Sequence, residues 1–426
     1  MGCLVFSGFQ GTPAQAEEPS PALSTTLPSG DGRAAENQDL RRVWQAMQHA
    51  DAPTLVDLYK GASDPIVHVW AAMALERVHF NLDAATADAK VCEQSLFDSR
   101  PAIALSCGQF QSGNLRLAGR ASEADALERE LIQRYQNHRV NQQLAGMRRF
   151  EDGQTALPAL SYDVPAGDIT LPLKEGVASP TFKAEANGHP FELMLDTGAS
   201  DLVLGEEDAR NYGVKPLDEE GHTRGWLSTN VPTQKGLLDE LSIGGGIVLH
   251  NVPVTIVPTS IALMGANLAA PLGTLHISQK SLQVLDAHSD VPACDTPMLV
   301  SSGLWGNNLR LLPQLLINDQ PRSVMLDSGA SRYLLGTKAA LDEVTVLHRG
   351  KVSMKDIGGN HAFANMDSAK VKLTIAGQPI DMRFVLYTDS STPHPITLGA
   401  GALRDMDFLL DFRRQHMCFL LHPDLR

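Results

Sequence analysis

The sequence predicts a multidomain α + all-β protein, a helical domain followed by a β-rich region, and three observations carry that prediction. The chain has 426 residues, which at roughly 150 residues per domain is material for about three domains. Between residues 37 and 155 apolar residues recur at helical spacing. Leu127, Leu131 and Tyr135 follow one another every four residues, with Ala124 ahead of them and charged residues between. From residue 156 onward Gly, Pro and Asn punctuate short runs of Val, Ile, Leu and Thr, such as 252–257 and 371–375. That is the texture of strands in a sandwich or barrel.

Taken in order, residues 1–36 read as a signal-peptide remnant and linker. Cys3-Leu4-Val5-Phe6 is a short apolar run, and Ala14-Gln15-Ala16 fits the small-residue cleavage site of an exported protein. Residues 17–36 are rich in Pro, Ser, Ala, Gly and Glu, as in a flexible linker. Cleavage after Ala16 leaves Cys92, Cys107, Cys294 and Cys418, an even number suited to an oxidising compartment. The expectation is an exported, periplasmic or secreted protein. Cys92 with Cys107 reads as a local bridge and Cys294 with Cys418 as a tie to the carboxyl end, with four buried free thiols the equal alternative.

In the helical domain, 37–155, the segment Leu117-Ala118-Gly119-Arg120-Ala121-Ser122-Glu123-Ala124 looks like the turn and second-helix start of a tetratricopeptide-type repeat. Only one unit carries it, and a plain helical bundle is the other reading. Either suits a protein partner. In the β-rich region, Gly244-Gly245-Gly246 separates two strand-like runs and reads as a hairpin turn.

Composition excludes several classes. The net charge of −14, from 35 Lys and Arg against 49 Asp and Glu, argues against a nucleic-acid-binding surface. No run of about 18 apolar residues is long enough for a membrane span. The sequence has no C-x-x-C, G-x-S-x-G or H-E-x-x-H motif, so neither a metal nor another cofactor is expected.

The informative feature is a duplication. Residues 189–205, His-Pro-Phe-Glu-Leu-Met-Leu-Asp-Thr-Gly-Ala-Ser-Asp-Leu-Val-Leu-Gly, align without gaps to 320–336, Gln-Pro-Arg-Ser-Val-Met-Leu-Asp-Ser-Gly-Ala-Ser-Arg-Tyr-Leu-Leu-Gly, at a constant offset of 131 with nine of seventeen positions identical. Asn187 and Asn318 keep the register upstream. Each copy is an apolar strand that delivers one acid, Asp196 or Asp327, into a turn of small residues. A single copy reads equally well as an Asp capping a turn. Two copies related by a twofold axis would bring the acids face to face, where they cannot both ionise and must share a proton.

These residues resemble the two active-site loops of aspartic peptidases, closer to the retropepsin than to the pepsin type because Ala199 and Ala330 follow the Gly. The resemblance spans roughly 156–426 and implies a bilobal pair of pepsin- or retropepsin-like β-barrels in one chain, with lobes 156–290 and 291–426. It implies that Asp196 and Asp327 are catalytic, supported by Thr197, Gly198 and Ser200 in one loop and Ser328, Gly329 and Ser331 in the other. Leu263-Met264-Gly265 and Thr397-Leu398-Gly399 look like the family's hydrophobic-hydrophobic-Gly motifs. Ile357-Gly358-Gly359 looks like the tip of a flap over the substrate, with Gly225 and Trp226 as the first-lobe counterpart. The implied activity is endopeptidase cleavage of a peptide or protein substrate by a water activated between the two acids. The absence of a hydroxyl donor at 199 and 330 implies a pair that titrates higher than in pepsin. The competing readings are a catalytically silent peptide-binding module and an adaptor working through the helical domain.

Overall fold

A computed structural model of the chain describes residues 34–140, 142–147, 158–225, 227–341, 346–387 and 394–423. The signal-peptide reading, nearly all of the linker and Trp226 lie outside the described residues. The architecture is helices followed by β-rich barrel-like lobes, as the sequence predicts.

The helical region opens with α1 (Ala34–Gln48), α2 (Ala52–Gly61), α3 (Pro65–Val78), α4 (Leu82–Leu96), α5 (Pro101–Leu117) and α6 (Ala121–Tyr135), and residues 142–147 are also helical. Their starts follow from the sequence. The Asp51 carboxylate accepts the Thr54 N–H at 3.1 Å, and that of Asp64 accepts the Ile66 N–H at 2.8 Å. Pro65 and Pro101 occupy first helical positions, where a missing N–H costs nothing. The turn between α5 and α6 is made by Gly119 at φ +74°. Of the residues at that spacing Leu131 and Tyr135 are buried, as is Ala124, while Leu127 is half-buried against the same cluster as Leu131. Cys92 and Cys107 form a disulfide between α4 and α5, and Cys294 and Cys418 form a second, with Cα separations of 6.0 and 5.8 Å.

The duplicated segments fold alike. Thr181–Ala186 and His189–Asp196 form a hairpin turning at Asn187 and Gly188, and Gln314–Ile317 and Gln320–Ser323 form one turning at Asn318 and Asp319. All four turn residues have positive φ, which the twist of a tight two-residue hairpin demands. Asn187 also accepts the Glu240 N–H on its side-chain oxygen at 3.0 Å, and Asn318 accepts that of Lys372 at 2.9 Å. The two Asn therefore do one job, clamping each tight hairpin to the returning strand of a long one, Val231–Gly244 or Gly359–Ile375.

The lobes also share a five-stranded sheet that the sequence does not announce. Thr274–Ile277 of the first lobe pairs antiparallel with Met406–Asp411 of the second, flanked by Ser281–Leu285 and Ile169–Pro172 on one side and His416–Leu421 on the other. The buried core runs through this sheet by way of Leu275, Ile277, Phe408 and Leu410, and takes in Phe80, Leu82 and Leu117 from the helical region. The Phe80 ring meets that of Phe412 edge-on at 5.2 Å.

Candidate active site

Asp196 ends the strand His189–Asp196 and Asp327 ends Met325–Asp327. Each runs parallel to a strand closing on Gly, with Asp196 opposite Gly265 and Asp327 opposite Gly399. The Gly is a steric requirement. A Cβ at Gly265 would lie 2.2 Å from the Ser200 carbonyl carbon, and one at Gly399 2.2 Å from the Arg332 carbonyl oxygen. No side chain fits between the acid-bearing loop and the strand that supports it. Thr397, the polar departure in the second motif, is fully buried.

Four hydrogen bonds cross between the loops. The Thr197 hydroxyl donates to the Leu326 carbonyl at 2.8 Å and accepts the Ser328 N–H at 3.0 Å; the Ser328 hydroxyl donates to the Leu195 carbonyl at 2.7 Å and accepts the Thr197 N–H at 3.0 Å. Both residues are buried, so each hydroxyl is used fully as donor and acceptor. The two glycines serve the same symmetry. A Cβ on Gly198 would sit 2.6 Å from Asp327 Cγ, and one on Gly329 2.4 Å from Asp196 Cγ. Each acid thus packs on the bare backbone of the opposite lobe.

The environments of the two acids differ. Asp196 is half-buried and accepts N–H bonds from Gly198 at 2.8 Å and Ala199 at 3.2 Å. Asp327 is 7% exposed and accepts one from Ala330 at 3.0 Å. Burial first, then the charge of Asp196 and a hydrogen bond to it, hold the Asp327 carboxyl well above the usual carboxylate range. The Ala330 N–H and the Arg310 guanidinium pull the other way without prevailing. Two carboxyls in contact cannot both ionise readily, so a proton is shared by the pair. Of the other serines named from sequence, Ser200 bonds across the site, donating to Asn308 Oδ1 at 3.2 Å, whereas Ser331 is exposed at its corner.

The hairpin tips also meet. The second hairpin, Val346–Asp356 with Gly359–Ile375, turns on Ile357 and Gly358. The first, Lys215–Thr223 with Val231–Gly244, carries Gly225 in its connection. Asp356, beside the second tip, accepts the N–H groups of Leu227 and Ser228 at 2.8 and 2.9 Å and the Ser228 hydroxyl at 2.9 Å. A Cβ on Gly225 would lie 2.4 Å from its Oδ2. Ile357 packs against an apolar cluster of the first lobe formed by Val203, Val231, Val257 and Leu263.

Sequence reasoning missed Arg310, which donates to the Ser200 hydroxyl at 2.9 Å, and Asp356. Arg310 and Ser179 stand 131 residues apart, but they differ in type and lie outside the matched seventeen residues, so the repeat did not mark them. Ser179 donates to the Gly329 carbonyl at 2.9 Å, so both positions reach across to the other lobe's loop with different chemistry.

Residues 182–274 match the family model for aspartyl protease. That stretch begins in the strand before Asp196 and ends just past Gly265, so it holds the first acid-bearing loop, the first hairpin and the first Gly-terminated strand. A crystal structure of a retropepsin-like aspartic protease from Rickettsia conorii is similar at 25% identity, over 30% of this chain and 95% of that one, with a TM-score of 0.23. No curated protein matches the chain. The likeness to aspartyl proteases thus has the support of a family model in the first lobe, and the second lobe repeats that lobe's acid-bearing segment.

Proposed function

We propose that the chain is an aspartic-type endopeptidase that hydrolyses peptide bonds with a water held between Asp196 and Asp327. One observation carries the reading: the two acids end duplicated strands and contact each other in a site braced across the lobes by Thr197 and Ser328. Asp196 takes a proton from the water as its oxygen attacks the scissile carbonyl, and Asp327 gives its proton to the carbonyl oxygen. A gem-diol forms. The C–N bond breaks as the amine takes the proton from Asp196, and a gem-diol hydroxyl returns one to Asp327. No covalent enzyme intermediate is needed. The apolar cluster under Ile357 supports a preference for apolar residues near the cleaved bond. The two disulfides support export to an oxidising compartment.

The test is cleavage of a mixed peptide library, read by mass spectrometry, with the wild-type chain and the Asp196→Asn and Asp327→Asn variants. Cleavage by the wild type alone is expected. Equal cleavage by all three proteins would end the peptidase reading, and binding without cleavage would favour a silent peptide-binding module.

The Asp356 contacts give a separate prediction. Without its carboxylate the hairpin tips lose three bonds to a charged acceptor, each worth about 1.5–3 kcal/mol when formed. Asp356→Ala is expected to raise KM about tenfold or more, with a smaller change in kcat, because the closed flap holds bound substrate. Unchanged Michaelis–Menten parameters would remove the latch role.

A further inference from the structure

Arg77 is 1% exposed, an unusual place for a guanidinium. Burial pushes its pKa well down, so its donors must be met. Within the helical region Nε donates to Asn114 Oδ1 at 2.6 Å, and the group lies 3.4 Å over the Phe110 ring. Its Nη1 leaves that region and donates to the carbonyls of Gly303 at 2.9 Å and Leu304 at 3.2 Å. Those carbonyls belong to the segment 302–309 of the second lobe, which is seated on the helices through Gly303, Leu304, Trp305 and Gly306. Trp305 packs against the cluster containing Leu105 and Leu131. Gly306 and Gly113 touch backbone to backbone, since a Cβ on either would lie 2.2 Å from a carbonyl oxygen of the other segment.

The same segment then enters the active site. Asn267 Nδ2 donates to the Gly306 carbonyl at 2.6 Å, and its Oδ1 accepts the Leu309 N–H at 3.1 Å. Asn308 accepts the Ser200 hydroxyl, and the next strand begins at Arg310. Leu311 pairs antiparallel with Leu326, a register that sets Arg310 opposite Asp327.

We propose that Arg77 is a positioning residue for the acid pair: by gripping segment 302–309 it fixes Arg310 beside Asp196 and Asp327, which makes the helical region a working part of the active site. The proposal rests on the peptidase reading only in taking these acids as the functional pair. Arg310 acts there by charge on Asp196, Asp327 and Asp201, the last also 3.5 Å from Lys235. The other titratable neighbour, His394, adds no charge above acid pH, because burial, with Arg310 and His49 beside it, pushes its pKa down to about 3.

The test is carboxyl NMR of the full chain labelled at Asp Cγ, with the pair assigned by difference from Asp327→Asn, followed through a pH titration. Arg310→Met is expected to raise the titration of the pair by about one unit or more, the scale for losing one nearby opposite charge. Arg77→Met is expected to shift it in the same direction, and the double variant no further than Arg310→Met alone. An unchanged titration in a folded Arg77→Met protein, or additive shifts in the double variant, would reduce Arg77 to a packing role. If Arg77→Met does not fold, Arg77→Lys decides on the same criterion, since one ammonium cannot reproduce the guanidinium's bonds to Asn114, Gly303 and Leu304. The readout needs no turnover, so a chain that cleaves nothing overturns the peptidase reading and leaves this one to be judged on its own.

Discussion

Asp327→Asn is expected to lower kcat/KM for peptide cleavage by about 10²–10⁴-fold, the usual contribution of a positioned acid or base, and at neutral pH to raise Tm by at least about 2 °C. The two effects share a cause. Burial, the charge of Asp196 and the hydrogen bond to it raise the Asp327 pKa above that of an unfolded chain, so the folded protein binds this proton more tightly. By linkage, the stability this contributes is complete below the unfolded pKa and is lost as pH rises toward the folded one. An amide keeps the shape and carries no charge at any pH. The variant's advantage should therefore grow with pH above the ordinary carboxylate range and vanish in acid. Thermal denaturation between about pH 3 and 7 reads this directly. A variant less stable than the wild type at neutral pH, or equally advantaged in acid, would mean that Asp327 is not the strained acid described.

Gly329→Ala and Gly198→Ala are expected to lower kcat by about 10²-fold each, since a misplacement near 1 Å at a reacting group costs that much. The added methyl carbons would stand 2.4 Å from Asp196 Cγ and 2.6 Å from Asp327 Cγ, so each carboxylate must move. Asp196 has little room, because its Oδ1 is fixed by the N–H groups of Gly198 and Ala199. Gly61→Ala is the control, with nothing within 4 Å of the new carbon. Full activity in either active-site variant would contradict the packing of each acid on the opposite loop.

The site was legible in the sequence wherever both lobes need the same residue for the same reason. Asp196 and Asp327, Gly198 and Gly329, and Asn187 and Asn318 recur at one offset because each loop meets its copy and each hairpin needs a positive φ. Thr197 and Ser328 differ in type yet make equivalent bonds, since only the hydroxyl is used. Features that belong to one lobe alone leave no such trace. Arg310 has Ser179 at its equivalent position, outside the matched seventeen residues. Arg77 follows Glu76 at the end of the largely apolar α3, and its partners in the second lobe, Gly303 and Leu304, lie more than 200 residues away, beyond any local pattern. The shared sheet is hidden likewise, because alternation within Thr274–Ile277 says which face is buried and not that Met406–Asp411 is its neighbour.

The most direct test of a proton shared between Asp196 and Asp327 is the pH dependence of kcat/KM for a cleaved peptide, measured on the full chain. A pair with one ionised and one protonated member gives a bell, rising as the pair loses its first proton and falling as it loses its second. With Asp327 held high by burial, the maximum is expected at mildly acidic to near-neutral pH. A maximum below about pH 3, or a rate that climbs through one ionisation and stays level into alkali, would contradict the shared proton.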